Sequence, residues 1–224
     1  MNFPDLRVRL ITGMMLWAVL GLWIYCSMKN PMVFPVGLVI MASICLYEWF
    51  RMGAGKSIPL RMAGAAIIGF GFWTCYDLAH REPGVAFICL LVPITDTVAY
   101  FGGRLMGGPK LCPAISSSKN WAGFLSVVIG VPFLAFLYIL PSLNGNGAKN
   151  AILLIPSLSF LGLITQAGNL PGSWAKRQFD VKDSGSWLPG HGGLLDRLDS
   201  TLFISIVMFF LFVLMNYLLQ RRIR

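Results

Sequence analysis

The chain has 224 residues, 56% of them apolar and 12% charged, and its 18 Lys and Arg outnumber 9 Asp and Glu to give a formal net charge of +9. Its mean hydropathy of +0.71 lies above the range of soluble domains and predicts an integral membrane protein. The basic residues are spread over short loops between apolar runs, which suits contact with anionic lipid headgroups and excludes a nucleic-acid-binding face.

Apolar runs of the ~17–25 residues needed to cross a bilayer fall at 10–28, 31–50, 62–80, 84–101, 122–141, 151–168 and 200–219. The expected fold class is all-α, a polytopic membrane protein of about seven transmembrane helices. It is read as a single membrane domain over 1–224, with an apolar helical half at 1–93 and a half at 94–224 that carries the polar motifs. The long polar segments 102–121 and 169–199 are expected on one side of the membrane, forming one site.

In chain order, Arg7 and Arg9 precede a first run too long for a cleaved signal peptide. GAGK at 53–56 lacks the upstream glycine of a phosphate loop and reads as a turn between spans. The fourth run is interrupted at its end by Pro93, Asp96, Gly102 and Gly103, and such breaks inside a membrane line a cavity or meet another segment. Asp96 is a functional candidate by its place at the end of an apolar span, with an ion pair to Arg104 as the structural alternative. NGNG at 144–147 reads as a turn. Cys26, Cys45, Cys75, Cys89 and Cys112 have no C-x-x-C pair and read as small buried hydrophobes. With an inside amino terminus, twelve Lys and Arg fall inside and six outside, among them Arg221, Arg222 and Arg224 at the tail.

Charge gathers in SWAKRQFDVKDSGSWLPGHGGLLDRLD at 173–199, which holds four of the nine acids. Cations there can neutralise phosphate, carboxylates can hold a divalent metal, and glycines let backbone approach a ligand. The segment resembles the signature of the phosphatidate cytidylyltransferase (CDP-diacylglycerol synthase) family, S-x-x-K-R, then K-D, then P-x-H-G-G-x-x-D-R-x-D. It supplies Ser173, Lys176, Arg177, Lys182, Asp183, Pro189, His191, Gly192, Gly193, Asp196, Arg197 and Asp199 in order. ITDTVAYFGGRLMGG at 94–108 and SSSKNWAG at 116–123 are similar to the family's D-T-x-A-Y-x-x-G-R-x-x-G and S-P-K-K-T-W-E-G segments.

The resemblance implies a bacterial inner-membrane enzyme, its site facing the cytoplasm, that joins CTP to a lipid phosphate, phosphatidic acid, with Mg²⁺ as cofactor, and it implies a homodimer. Two polyanions meet in that reaction, so metal and cations offset charge while positioning supplies most of the catalysis. The catalytic set is expected to be Asp196, Lys176, Arg177, Lys182, Asp183, His191 and Arg197, and the substrate-binding set Asp96, Arg104, Ser116, Lys119, Ser173, Gly192, Gly193 and Asp199. Asp196 and Asn169 would hold the metal. The alternative for Asp196 and Asp199 is a capping network where the last span begins, and for the cations a charged membrane boundary.

The chain departs from the family at this site. Asn169 and Gly172 stand where the family has the Asp and Glu of G-D-L-x-E-S, and Ser117, Ser118, Asn120 and Ala122 replace a Pro, a Lys, the Thr and a Glu. An Asn oxygen ligates magnesium without adding charge, so Asp183, Asp199 or Asp96 is a candidate replacement. The rival readings are a relative that binds nucleotide or anionic lipid without turnover, a CTP-dependent enzyme acting on another lipid, and a transporter. Transporters usually place their charge at the bilayer midplane, so the loop charge disfavours the last.

Overall fold

A computed structural model describes residues 3–81, 84–113, 116–139, 147–189 and 192–223. These form helices α1 (Phe3–Lys29), α2 (Val33–Met52), α3 (Ile58–Ala79), α4 (Gly84–Met106), α5 (Trp121–Ile139), α6 (Gly147–Gln178) and α7 (Leu195–Ile223), with strands β1 (Lys110–Cys112) and β2 (Ser116–Asn120) between α4 and α5. Each apolar run of the sequence falls mainly on one helix. Among the described residues four helical stretches, Ile11–Lys29, Val33–Met52, Ile58–Ala79 and Leu195–Arg221, are long and apolar enough to cross a membrane, and Trp121–Leu134 is a shorter apolar helix.

The chain divides into two compact units, Met1–Glu82 with Ala175–Arg224, and Pro83–Trp174. In the first, α2 and α3 are joined by the turn at Gly53–Ser57, where Gly55 has φ +81°, as expected for GAGK. Trp49 Nε1 donates to the carbonyl of Arg61 at 2.8 Å, and a Cβ on Gly64 would fall inside the Trp49 ring, so glycine lets the helices close. Against α7, Gly71 faces Leu202, and the buried hydroxyls of Thr74 and Ser205 meet at 2.9 Å. Small residues and shared hydroxyl bonds are what hold helices together when lipid is as apolar as the side chains.

The outward faces are apolar. Met14, Val19, Leu22 and Ile67 are each more than 60% exposed, a surface that water does not tolerate over such an area and hydrocarbon does. This is a membrane protein.

In the second unit Leu91, Val127, Val131 and Leu158 form the core, with Val98, Ala99 and Leu161 packed on it. The expected break at the end of the fourth run is absent, because α4 continues through Pro93 to Met106. Thr97 Oγ1 donates to the Pro93 carbonyl at 2.7 Å. Gly102 and Gly103 are points of close approach, for a Cβ on either would strike Ser126 or Asn120. Gly107 and Gly108, at φ +66° and +103°, then end the helix in the left-handed region glycine favours. The chain next forms an antiparallel hairpin, with Lys110 opposite Asn120 and Cys112 opposite Ser116, although the residues SSSKN suggest a loop. The expected turn at 144–147 lies outside the described residues apart from Gly147.

Candidate active site

The signature 173–199 folds into the end of α6, an irregular turn and the first turn of α7. Lys176 Nζ donates to Asp196 Oδ1 at 2.6 Å and lies 3.9 Å from Asp199 Oδ2, with the three side chains only 15%, 5% and 13% exposed. Asp196 Oδ2 accepts the backbone N–H groups of Ser184 at 2.8 Å and Gly193 at 2.9 Å. The ammonium and two amides together hold the carboxylate in one orientation. Burial raises the strength of such charge-assisted bonds and the cost of losing one.

The local chain needs its glycines. Gly192 takes φ +82°, and a Cβ there would press on Asp196 and touch Asp183, which places the Asp183 side chain beside the Asp196 turn. Leu188 N–H donates to the Gly192 carbonyl at 3.0 Å, closing the segment into a small bridge. Arg177, Lys182, Asp183 and Arg197 are exposed, and Arg177 Nη1 reaches the Val181 carbonyl at 3.4 Å. His191 lies outside the described residues. Asp180, at φ +59°, receives Lys56 Nζ at 2.6 Å; that hydrogen bond and the Lys56 charge hold its carboxyl below the usual carboxylate range. The contact is therefore formed above the ordinary Asp range and lost as pH falls through the lowered value.

The sequence reading missed Glu48. This α2 carboxylate is 1% exposed and accepts Leu194 N–H on Oε1 and Leu195 N–H and Ser184 Oγ–H on Oε2, each at 2.9 Å. Glu48 is the only acid between Asp5 and Asp77 and stands within an apolar run; a charge so placed was the available signal.

In the Pro83–Trp174 unit a cavity of about 480 Å³ is lined by Asp96, Tyr100, Arg104, Lys110, Lys119 and Gln166 among others, within the ~300–1,000 Å³ of ligand pockets. Asp96 Oδ1 accepts Gln166 Nε2 at 3.0 Å and Asn169 Nδ2 at 3.3 Å. Lys119 Nζ donates to the Gln166 carbonyl at 3.0 Å and to its Oε1 at 3.3 Å. The ion pair between Arg104 and Asp96, the structural alternative for Asp96, is not among the described ion pairs; Arg104 Nη1 donates to Tyr100 Oη at 2.8 Å. Lys110, Tyr100 and Gln166 were not anticipated, Gln166 being the one amide in the run 151–168, where the other polar residues are the hydroxyls of Ser157, Ser159 and Thr165. Ser116 lies on β2, and its side chain is outside the described residues. Asn120 serves the fold, since its Oδ1 accepts Gly123 N–H at 3.0 Å, capping α5, while Nδ2 donates to the carbonyls of Gly103 and Gly107. Asn and Thr are both good N-caps, which accounts for that departure from the family.

Among the described residues no three His, Cys, Asp or Glu side chains converge as a metal cage. Magnesium bound mainly through phosphates and water needs only one or two carboxylates, and the exposed Asp96 carboxylate on the cavity wall, with Asn169 against it, fits that mode.

A Brucella abortus protein named phosphatidate cytidylyltransferase is 38% identical over 170 residues, which cover 72% of this chain and 58% of the relative; the chain thus spans little more than half of that protein's length. Proteins of the same name from Rickettsia felis and Rickettsia bellii are 30% and 31% identical over 217 residues, covering 94% and 92% of this chain and 93% and 90% of theirs. The cytidylyltransferase family profile matches residues 78–215, a stretch that takes in both polar clusters apart from Glu48, and the chain belongs to that family.

Proposed function

We propose that this protein transfers the cytidylyl group of CTP to phosphatidic acid within the membrane. A phosphate oxygen of the lipid attacks the α-phosphorus of CTP, the bond to the β-phosphate breaks, and pyrophosphate leaves as CDP-diacylglycerol forms. The attacking oxygen is already ionised, so no protein base is required. The observation that supports this most is the buried Lys176–Asp196 pair, set by two backbone amides at the head of α7 inside the family-matched stretch.

Lys176, with the exposed Arg177, Lys182 and Arg197, is assigned to phosphate oxygens, Arg doing so bidentately. Lys119, Arg104 and Lys110 give the cavity of the other unit the same preference for polyanions. Asp196 in one unit and Asn169 in the other each keep the metal-ligand role the resemblance implies, and Asp96 beside Asn169 supplies the charge that an amide lacks. When bound, the ion would supply positive charge to offset that of the phosphates. His191, Asp183, Asp199, Ser116 and Ser173 keep the roles the resemblance implies. The seven helices are proposed as seven spans of a bacterial inner membrane with the site on the cytoplasmic side, a placement that rests on the inside excess of Lys and Arg; a homodimer rests on the resemblance alone.

Purified protein in nanodiscs with phosphatidic acid, Mg²⁺ and CTP labelled at the α- or γ-phosphate tests the reaction. Label is expected in lipid from α-labelled CTP alone, with pyrophosphate released. Lipid label from γ-labelled CTP with release of CDP would instead identify a kinase and refute cytidylyl transfer.

A further inference from the structure

Glu48 is a buried carboxylate that no part of the proposed reaction uses. It is buried at 1% exposure in α2, and among the described residues no Lys or Arg pairs with it. A buried charge without a cation is costly, so its three hydrogen bonds must supply what a neutral residue would not. Two come from the Leu194 and Leu195 amides at the N-terminus of α7, where unsatisfied donors and the helix dipole both favour an anion. The third comes from Ser184 Oγ–H.

Both backbone donors to Asp196 are coupled to these contacts. Ser184 gives its hydroxyl to Glu48 and its own N–H to Asp196. Gly193, the other donor to Asp196, directly precedes Leu194. The glycines confirm how closely Glu48 is seated, since a Cβ on Gly185 would stand 2.8 Å from its Oε1 and one on Gly193 would meet Ser184 Oγ and both Glu48 oxygens. Any displacement of Glu48 therefore reaches Asp196 through one residue on either side of the turn.

We infer that Glu48 is a positioning residue for cytidylyl transfer, a carboxylate on α2 that fixes the 184 and 193–195 backbone so that Asp196 and Lys176 are held in working orientation. This rests on the reaction proposed above. Gln at this position keeps the shape but presents an NH₂ group to donors, and Asp keeps the charge but is one methylene short.

The test is kcat and KM for CTP, normalised to folded protein, for wild type, Glu48→Gln, Glu48→Asp, Ser184→Ala and the Glu48→Gln/Ser184→Ala double variant. Supporting partners of reactive groups typically contribute ~10–100-fold, so Glu48→Gln is expected to lose about that in kcat. KM for CTP should stay within about 3-fold, the pattern of a group acting on the transition state through its neighbours. Glu48→Asp should recover part of the loss, and the double variant should be no slower than Glu48→Gln, because the Ser184 hydroxyl acts through Glu48. A Glu48→Gln enzyme with kcat within about 2-fold of wild type, or a double variant whose losses multiply, overturns the role. If Glu48→Gln does not fold, Ser184→Ala decides: reduced kcat at unchanged thermal stability supports the inference, and unchanged kcat overturns it. Absence of turnover in the wild type overturns the reaction and this role with it, whereas turnover that survives Glu48→Gln overturns this role alone.

Discussion

Replacing Lys176 by Met removes the ammonium from Asp196 while keeping much of the aliphatic stem. The carboxylate, 5% exposed, then retains the Ser184 and Gly193 amides and loses its 2.6 Å cation. Breaking a buried pair on one side typically costs ~3–5 kcal/mol, and a hydrogen bond to a charged group contributes ~1.5–3. With two amides still in place the lower part of the range applies, about 2–3 kcal/mol. For a chain of this length each kcal/mol moves Tm by ~2–4 °C, giving a fall of about 4–12 °C. Cys45 and Cys75 are buried at 0% and 4% exposure, so once the partly exposed Cys26, Cys89 and Cys112 are replaced a thiol-reactive fluorophore reports the transition. Removing both charges with Lys176→Met and Asp196→Asn together should leave the protein more stable than Lys176→Met alone, since the carboxylate of the 2.6 Å contact is no longer buried without its cation. A fall in Tm below about 1 °C, or a double variant whose loss is the sum of the single losses, would refute the reasoning.

Two other perturbations concern the second unit. Asn169→Asp sets a second carboxylate against Asp96, where the amide now stands at 3.3 Å; like charges that close repel unless a cation bridges them. The variant should melt below wild type without divalent metal and regain stability as Mg²⁺ is titrated in, and a melting temperature indifferent to Mg²⁺ would count against a metal site at this pair. Asn120→Ala deletes the α5 cap and two bonds to the end of α4, for a loss of about 1–2 kcal/mol. Asn120→Thr should restore the cap and much of that stability, whereas equal losses in both variants would show that Gly103 and Gly107, rather than the cap, are what Asn120 serves.

The helices were legible because an apolar run of bilayer length satisfies its backbone in lipid as a helix, and among the described residues each of the seven runs falls mainly on one helix. The signature 173–199 was legible because its charges and glycines follow a spacing that apolar packing does not require, and Lys176, Gly193, Asp196 and Asp199 do gather there. The pairing of β1 with β2 was not, since SSSKN has neither the alternation nor the branched residues of a strand. Gly102 and Gly103 misled for a related reason: a glycine that breaks a helix and one that lets a neighbour approach are the same letter, and only Ser126 and Asn120 opposite them decide. By sequence alone Asn120 is a lost family residue, and its bond to Gly123 shows it to be a cap. Glu48 lies about 140 residues from its partners, a pairing that no local pattern announces.

The central claim, that the carboxylate held at the head of α7 belongs to a cytidylyl-transfer site, is tested most directly by incorporation of α-labelled CTP into phosphatidic acid by wild type and Asp196→Asn. The asparagine can keep its place against Ser184, Gly193 and Lys176 in shape while losing its charge. Label in CDP-diacylglycerol from wild type, and a loss of at least ~100-fold in the variant with both proteins folded, is the predicted result. Equal incorporation by the two proteins, or none by folded wild type, would contradict it.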